Sequence, residues 1–197
     1  MISKVFWQSI NNMMTELSLH VLDIANNSIS AGADLIEIKL QILREPGTLT
    51  ITIADNGSGM TKEQIDQVED PFFTTRTTRK VGLGVPFFKM AALSTGGSFQ
   101  IESTPGVGTK VTAVFMLSHI DCMPLGDMNS TIQTLIAFNT KIDFLYVYMV
   151  NDKYFTLDTR QIREIVNDIP INAPEVIAFI KDFLMENQRE TDIILSP

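Results

Sequence analysis

The stretch ELSLHVLDIANNSISAGADLIEIKLQIL, residues 16–43, decides the fold because its hydrophobic period changes once, at a glycine. Residues 16–31 place apolar side chains at helical spacing, and Gly32 follows as a helix C-terminal signal. Residues 34–43 then alternate, with isoleucine or leucine at every second position, as half-buried strands do. The sequence therefore predicts a helix that leads directly into a β-strand.

A second strand follows after a tight turn, which predicts a β-hairpin. Residues 44–47 (REPG) have turn composition, and residues 48–54 alternate isoleucine or leucine with threonine. Residues 55–60 (DNGSGM) form a loop by composition. Thr61 with Gln64 three positions later has the pattern of a capping box, so a short helix is predicted next.

The third part of this region repeats the order of helix and strands. Residues 70–81 (DPFFTTRTTRKV) have no clear period and are interpreted as a mobile loop. Residues 83–95 are predicted to be helical, with Pro86 tolerable only in the first turn. Two strands, 98–103 and 109–117, are predicted after it.

The remaining residues, 118–197, are predicted to form a C-terminal α/β extension of unknown role. Its pattern predicts two strands and amphipathic helices, which either cap the preceding sandwich or form a small partner-binding domain. Residues 1–14 are interpreted as an N-terminal extension, and residues 15–117 as the principal domain.

The composition excludes several classes of protein. The 197 residues are 45% hydrophobic and 19% charged, which excludes a disordered chain. Fifteen basic and 23 acidic residues give a net charge of −8, which disfavours nucleic acid as a partner. The single cysteine, Cys122, cannot form an internal disulfide, and no apolar run approaches membrane-spanning length. We therefore expect a cytoplasmic protein without a membrane partner or a secretory leader.

Asp23 and Asn27 lie four residues apart on one face of the first predicted helix, and His20 precedes them by one turn. An amide oxygen beside a carboxylate suits a magnesium ion that keeps most of its waters. The carboxylate of Asp23 could also activate a water or a hydroxyl nucleophile. The alternative is a polar helix face that is merely solvated.

Two further groups of residues carry possible chemistry. Asp55 ends a strand and opens the glycine-rich loop, where a carboxylate can accept a hydrogen bond from an exocyclic amine. Gly82, Leu83 and Gly84 open the next predicted helix, whose backbone amides would suit an anion. The alternative interpretations are a β-turn and a flexible helix start.

Two basic residues and a glycine turn complete the set. Arg79 and Lys80, just before the glycines, could neutralise further negative charge, or they are simply solvated. Gly106, Gly108 and Thr109 form a turn into a strand, and the Thr109 hydroxyl could bond a base or a water beside Asp55. The alternative for this last group is a plain hairpin turn.

Taken together and in this order, these motifs resemble the GHKL superfamily of ATP-binding domains over residues 15–117. That superfamily includes histidine kinases, gyrase B, the MutL proteins, heat-shock chaperones and anti-sigma kinases. The segment DPFFTT followed by GLG is similar to sensor kinases, whereas NNSISAGADLIEI is similar to MutL. The resemblance implies a two-layer α/β sandwich with a mixed, mainly antiparallel sheet, helices on one face, and ATP with Mg²⁺ as cofactors.

The resemblance also implies roles for individual residues. Asn27 would bind magnesium, Asp55 would read the adenine amino group, and Asp23 would act as the catalytic base. The nucleotide would further contact residues of the two glycine motifs and the last turn: Gly57, Gly59, Met60, Arg79, Lys80, Gly82, Leu83, Gly84 and Thr109. Asp23 is shorter by one methylene than the glutamate that the ATPases carry, and Lys80 replaces a glycine that is common in kinases.

The expected function is that of a signalling or regulatory protein that binds ATP and transfers its γ-phosphoryl group to another protein. The alternative is an ATP-gated interaction module, such as an ATPase switch or an anti-sigma-like binder, with slow or no transfer. His20 lies inside a predicted helix and His119 in a linker-like segment, so neither is expected to accept a phosphoryl group. We expect an unidentified protein partner, with oligomerisation possible through the C-terminal region.

Overall fold

The protein is described by a computed structural model over residues 15–69 and 84–192. Along the chain, its strands occur in consecutive pairs that are separated by one or two helices. The helices are α1 (Leu17–Ser30), α2 (Lys62–Glu69), α3 (Gly84–Ser94), α4 (Met128–Phe138), α5 (Thr159–Val166) and α6 (Pro174–Asp192). The strands are β1 (Leu35–Leu43), β2 (Thr48–Asp55), β3 (Ser98–Thr104), β4 (Gly108–Met116), β5 (Asp143–Val150) and β6 (Lys153–Asp158).

The strands form one six-stranded sheet in the order β3-β4-β2-β1-β5-β6. Neighbouring strands are antiparallel except for β1 and β5, which are parallel. The helices lie on one side of this sheet. The predicted two-layer sandwich with a mixed, mainly antiparallel sheet is therefore confirmed. In the part of the chain that the structure describes, every helix is too short or too polar to span a membrane.

The sequence alternation accounts for the two faces of the sheet. On β1, Ile36, Ile38 and Leu40 are buried, while the residues between them are exposed. Ile38 is paired with Ile53 of β2, so both inward-facing sets lie in register and pack under the helices. A one-residue slip would expose the whole set, and the hairpin register is for that reason strongly specified.

Local signals of the sequence are also found where they were predicted. The backbone amide of Thr61 donates to Gln64 Oε1 at 2.8 Å, and the amide of Gln64 donates to Thr61 Oγ1 at 3.3 Å. This reciprocal pair is the capping box at the start of α2. Pro86 lies in the first turn of α3, where a missing amide is tolerated. The predicted loop of residues 70–81 lies outside the described residues.

The C-terminal region continues the same sheet. Strand β5 pairs with β1, placing Tyr146 opposite Ile38, and β6 then extends the edge. Helix α4 packs on α1, and α6 packs on α4, β5 and β6. Asp127 caps α4 by accepting a hydrogen bond from the Ser130 amide at 2.9 Å. Residues 143–158 therefore extend the sheet of the preceding region, and the two predicted roles of the C-terminal region stay predictions.

Candidate functional site

Helix α1 presents the two residues that were predicted to handle magnesium and the reacting group. Asp23 and Asn27 are both partly buried and lie one turn apart on the helix. Burial raises the pKa of the Asp23 carboxyl above its ordinary value. A carboxylate in this state holds a proton more readily than an exposed aspartate does, which suits a group that accepts one during a reaction.

The Asp23 carboxylate lies against the first residue of α3. A Cβ atom built on Gly84 would overlap Asp23 Oδ2 and would lie 2.8 Å from Asp23 Cγ. Glycine at this position therefore lets the carboxylate sit at the N-terminus of a helix, where backbone amides point outward. The structure thus brings together Asp23 and Gly84, which are separated by 61 residues in the sequence.

Asp55, at the end of β2, is held by three hydrogen bonds. Its Oδ2 accepts from the Ser28 hydroxyl at 2.6 Å. Its Oδ1 accepts from the backbone amides of Gly57 at 2.9 Å and Thr109 at 3.3 Å. The carboxylate is consequently fixed in one orientation between α1, the glycine loop and β4.

Ser28 is a site residue that the sequence reasoning missed. It is a buried polar residue on the apolar face of α1, directly after Asn27. A small hydroxyl inside a hydrophobic stripe was the available signal, since such a group needs a partner when it is buried. The structure shows that partner to be Asp55.

The Thr109 hydroxyl contacts Ser103 within the protein, and its predicted bond to a base or a water beside Asp55 stays a prediction. Its Oγ1 is 2.8 Å from Ser103 Oγ, and the contact of Thr109 with Asp55 is made by its backbone amide instead. Ser103 also accepts a hydrogen bond from the Met60 amide at 2.8 Å and donates to the Gly108 carbonyl at 2.9 Å. Ser103, which the motif did not include, therefore links the loop after β2 to the β3–β4 turn.

Two glycines allow the backbone segments around Asp55 to come this close. Gly59 has φ +63° and Gly108 has φ +137°, conformations that side chains disfavour. A Cβ atom on Gly59 would overlap the Thr104 carbonyl oxygen, and one on Gly108 would overlap the Asp55 carbonyl oxygen. The backbone at Gly59 therefore packs directly on that of Thr104, and the backbone at Gly108 on that of Asp55.

Comparison with protein families shows the family of this chain. Residues 8–119 match the family model of the histidine kinase-, DNA gyrase B- and HSP90-like ATPases, which is more than half of the chain. The chain belongs to this family. The resemblance that the motifs predicted is therefore confirmed: residues 8–119 match a histidine-kinase-like ATPase domain, and the predicted bounds 15–117 stay a prediction.

Curated relatives of the ATPase domain include sensor kinases. The chain is 34% identical over 97 residues to the sensor protein kinase FleS of Pseudomonas aeruginosa, covering 49% of this chain and 24% of that protein. It is 30% identical over 98 residues to sporulation kinase D of Bacillus subtilis, covering 50% of this chain and 19% of that protein. The chain thus spans about a quarter or less of the length of these relatives.

One solved structure shares the fold at low sequence identity, and a second was also compared. The N-terminal domain of a DNA repair protein superimposes with a TM-score of 0.55 at 17% identity, covering 75% of this chain and 54% of that one. The Aquifex aeolicus MutL ATPase domain complexed with ADP gives a TM-score of 0.45 at 14% identity, covering 78% and 69%. The first likeness supports the sandwich architecture of the ATPase domain.

Not every predicted contact of the ATPase domain can be located. Arg79, Lys80, Gly82 and Leu83 lie outside the described residues, so their predicted roles stay predictions. Asp23, Asn27, Asp55, Gly57, Gly59, Met60, Gly84 and Thr109 are described. These eight belong to two groups, one around Asp55 and one around Asp23 and Gly84.

The described residues fit a nucleotide and magnesium by their chemistry. The Asp55 carboxylate, held by Ser28 and by two backbone amides, is a fixed hydrogen-bond acceptor of the kind that the exocyclic amine of a purine requires. Over residues 15–69 and 84–192, no three His, Cys, Asp or Glu side chains cluster as a metal site would need. A magnesium ion here would rely on the Asn27 oxygen and on oxygens of the phosphate groups, since Mg²⁺ commonly takes one or two protein ligands.

Proposed function

We propose that this protein binds ATP with Mg²⁺ and transfers the γ-phosphoryl group to another protein as part of a signalling or regulatory pathway in the cytoplasm. Domains of this family bind ATP, and sensor kinases are among the relatives of this one. The observation that carries the proposal is the half-buried Asp23 carboxylate against Gly84, at the N-terminus of α3.

In the proposed complex, the Asp55 carboxylate would accept a hydrogen bond from the adenine amino group, and the loop glycines would let the base lie against backbone. Asn27 would hold magnesium, which would neutralise charge on the phosphate oxygens. The γ-phosphoryl group lies near Gly84, where the helix N-terminus stabilises negative charge. Asp23 would then accept the proton of an attacking hydroxyl, or orient an attacking imidazole, as the acceptor atom bonds to the γ-phosphorus, the bond to the β–γ bridging oxygen breaks, and ADP leaves.

The alternative is an ATP-gated interaction module in which Asp23 activates water instead. A half-buried carboxylate that keeps partial contact with solvent serves water as well as a protein hydroxyl, and this observation keeps the alternative open. In that mechanism ATP binding changes a partner surface, and slow hydrolysis resets it. The two functions differ in where the γ-phosphate goes.

The deciding experiment follows that phosphate. Purified wild-type protein and the Asp23→Asn variant are incubated with magnesium and γ-labelled ATP, and free phosphate and labelled protein are counted. Free phosphate that requires Asp23 identifies the switch. Tight ATP binding without release favours transfer to a separate acceptor protein. Failure of the wild-type chain to bind ATP at all would overturn both functions.

A further inference from the structure

His20 is a buried residue for which the proposed chemistry has no direct use. The ring is 1% exposed, and neither ring nitrogen has a hydrogen-bond partner among the described residues. Burial lowers its pKa from 6.5 to about 4, so the ring is neutral near pH 7. His20 therefore behaves in this fold as an uncharged aromatic group.

The ring stacks on Phe88 of α3. The two ring centroids are 5.7 Å apart with an interplanar angle of 24°. Phe88 is itself fully buried. Its ring centroid lies 5.6 Å from that of Phe115 of β4 and 6.2 Å from that of Phe99 of β3. His20 is thereby the α1 member of an aromatic cluster that ties α3 to the sheet.

This stack and the Asp23–Gly84 contact lie one turn apart on both helices. His20 precedes Asp23 by three residues on α1, and Phe88 follows Gly84 by four on α3. Because helices are stiff over one turn, the packing of ring on ring determines where the α3 N-terminus lies relative to the Asp23 carboxylate. The same contact would place any phosphate bound at Gly84.

We infer that His20 is a positioning residue: its stack on Phe88 sets the register of α3 against α1 and so aligns Gly84 with Asp23 for reaction at the γ-phosphate. The inference rests on the proposed function of that site. It requires an aromatic ring at position 20, and it does not require the ring nitrogens. Phenylalanine at position 20 therefore preserves the alignment, whereas alanine loses it.

The first test compares turnover with binding. In His20→Ala, we expect the rate of γ-phosphate loss to fall by about tenfold or more, because a misplacement of about 1 Å can cost a hundredfold. The affinity for ATP falls by a smaller factor than the rate, since the Asp55 group, which is proposed to hold the base, is unchanged. His20→Phe restores the rate. Equal losses in rate and affinity, or a wild-type rate in His20→Ala, would overturn the inference.

A matched control separates positioning from loss of stability. Phe155→Ala removes another buried ring, one that packs on Tyr146 and Tyr148 in the C-terminal region instead of on α3. We expect its melting temperature to fall by a similar amount while its γ-phosphate rate stays at the wild-type level. A matching loss of rate in Phe155→Ala would mean that destabilisation alone explains the effect.

A second measurement decides the inference even if the isolated protein shows no turnover. The amide resonance of Gly84 is followed by NMR during titration with Mg²⁺ and either ADP or a non-hydrolysable ATP analogue. In wild type and His20→Phe, we expect the chemical shift of the Gly84 amide to differ between the two nucleotides. In His20→Ala this difference is lost, while the Gly57 amide still shifts on nucleotide binding. An unaltered Gly84 response in His20→Ala contradicts the inference. Absence of any nucleotide response in wild type contradicts the proposed function instead.

Discussion

The Ser28 hydroxyl donates a 2.6 Å hydrogen bond to Asp55 Oδ2, which joins α1, the helix with the predicted magnesium ligand, to β2, the strand with the predicted adenine acceptor. Ser28 directly follows Asn27, so the two predicted halves of the nucleotide site are connected through one side chain. The other oxygen of Asp55 is occupied by two backbone amides. Asp55 is thus oriented before any ligand arrives.

Replacement of Asp55 should weaken ATP binding strongly. In Asp55→Asn, the amide NH₂ takes the place of one carboxylate oxygen and meets the hydrogen-bond donors that this oxygen accepted from. We therefore expect the affinity for ATP to fall by about tenfold to a hundredfold. Ser28→Ala removes only one of the hydrogen bonds that orient Asp55 and should lower the affinity for ATP by a smaller factor. Isothermal titration calorimetry with Mg²⁺–ATP measures both, and a wild-type affinity in Asp55→Asn contradicts the adenine assignment.

Asp23→Asn should separate activity from stability. Loss of the base lowers the rate of γ-phosphate loss by about a hundredfold or more. Because the folded-state pKa of Asp23 is raised by burial, its ionised form is disfavoured by folding at pH 7, and the neutral amide should raise the free energy of unfolding. The checks are labelled-phosphate release and urea denaturation; a variant that is slower and also less stable would indicate a structural carboxylate.

Gly59→Ala should destabilise the protein by disturbing the backbone packing between Gly59 and Thr104. An alanine there must adopt a positive φ and would overlap the Thr104 carbonyl oxygen, so we expect a loss of about 2 kcal/mol or more in the free energy of unfolding. Gly106→Ala is the matched control, since Gly106 also has a positive φ of +75° but nothing lies within 4 Å of its added Cβ. Equal losses of unfolding free energy in the two variants, measured by chemical denaturation, would show that the positive φ alone causes the loss and the overlap with Thr104 does not.

The stability of the fold should depend on pH through His20. Its folded-state pKa of about 4 lies below the ordinary value of 6.5, so the unfolded chain binds more protons between these values. Stability from this group is complete above about pH 6.5 and falls on acidification toward pH 4, by on the order of 3 kcal/mol. Urea denaturation at a series of pH values should show this slope in wild type, and His20→Phe should remove most of the difference.

The C-terminal region should be needed for the ATPase domain to fold. A fragment of residues 15–117 lacks β5, which pairs with β1 along its length, and α4, which covers α1. Ile36, Ile38 and Leu40 would then border an open sheet edge, so we expect an aggregating fragment without a cooperative thermal transition. A cooperative transition by circular dichroism would instead support residues 118–197 as a separate unit.

Several elements could be predicted from the sequence because their signals are local. The helix–glycine–strand change across residues 16–43, the hairpin and the Thr61–Gln64 capping box depend on spacing within a few residues. The motif order was sufficient for the family as well, since each motif is a short segment. Ser28 and Ser103 were missed because their roles depend on partners 27 and 43 residues away, Asp55 and Met60.

By itself, the sequence determined the individual helices and strands and the candidate residues, because hydrophobic periodicity and short glycine motifs act over a few positions. The two-layer architecture was predicted from the resemblance of these motifs to a known family. Only the tertiary structure decided which of those residues meet. It placed Asp23 against Gly84, gave the Thr109 hydroxyl to Ser103, and joined β5 to β1. Such contacts follow from how whole helices and strands pack, and no local pattern records that packing.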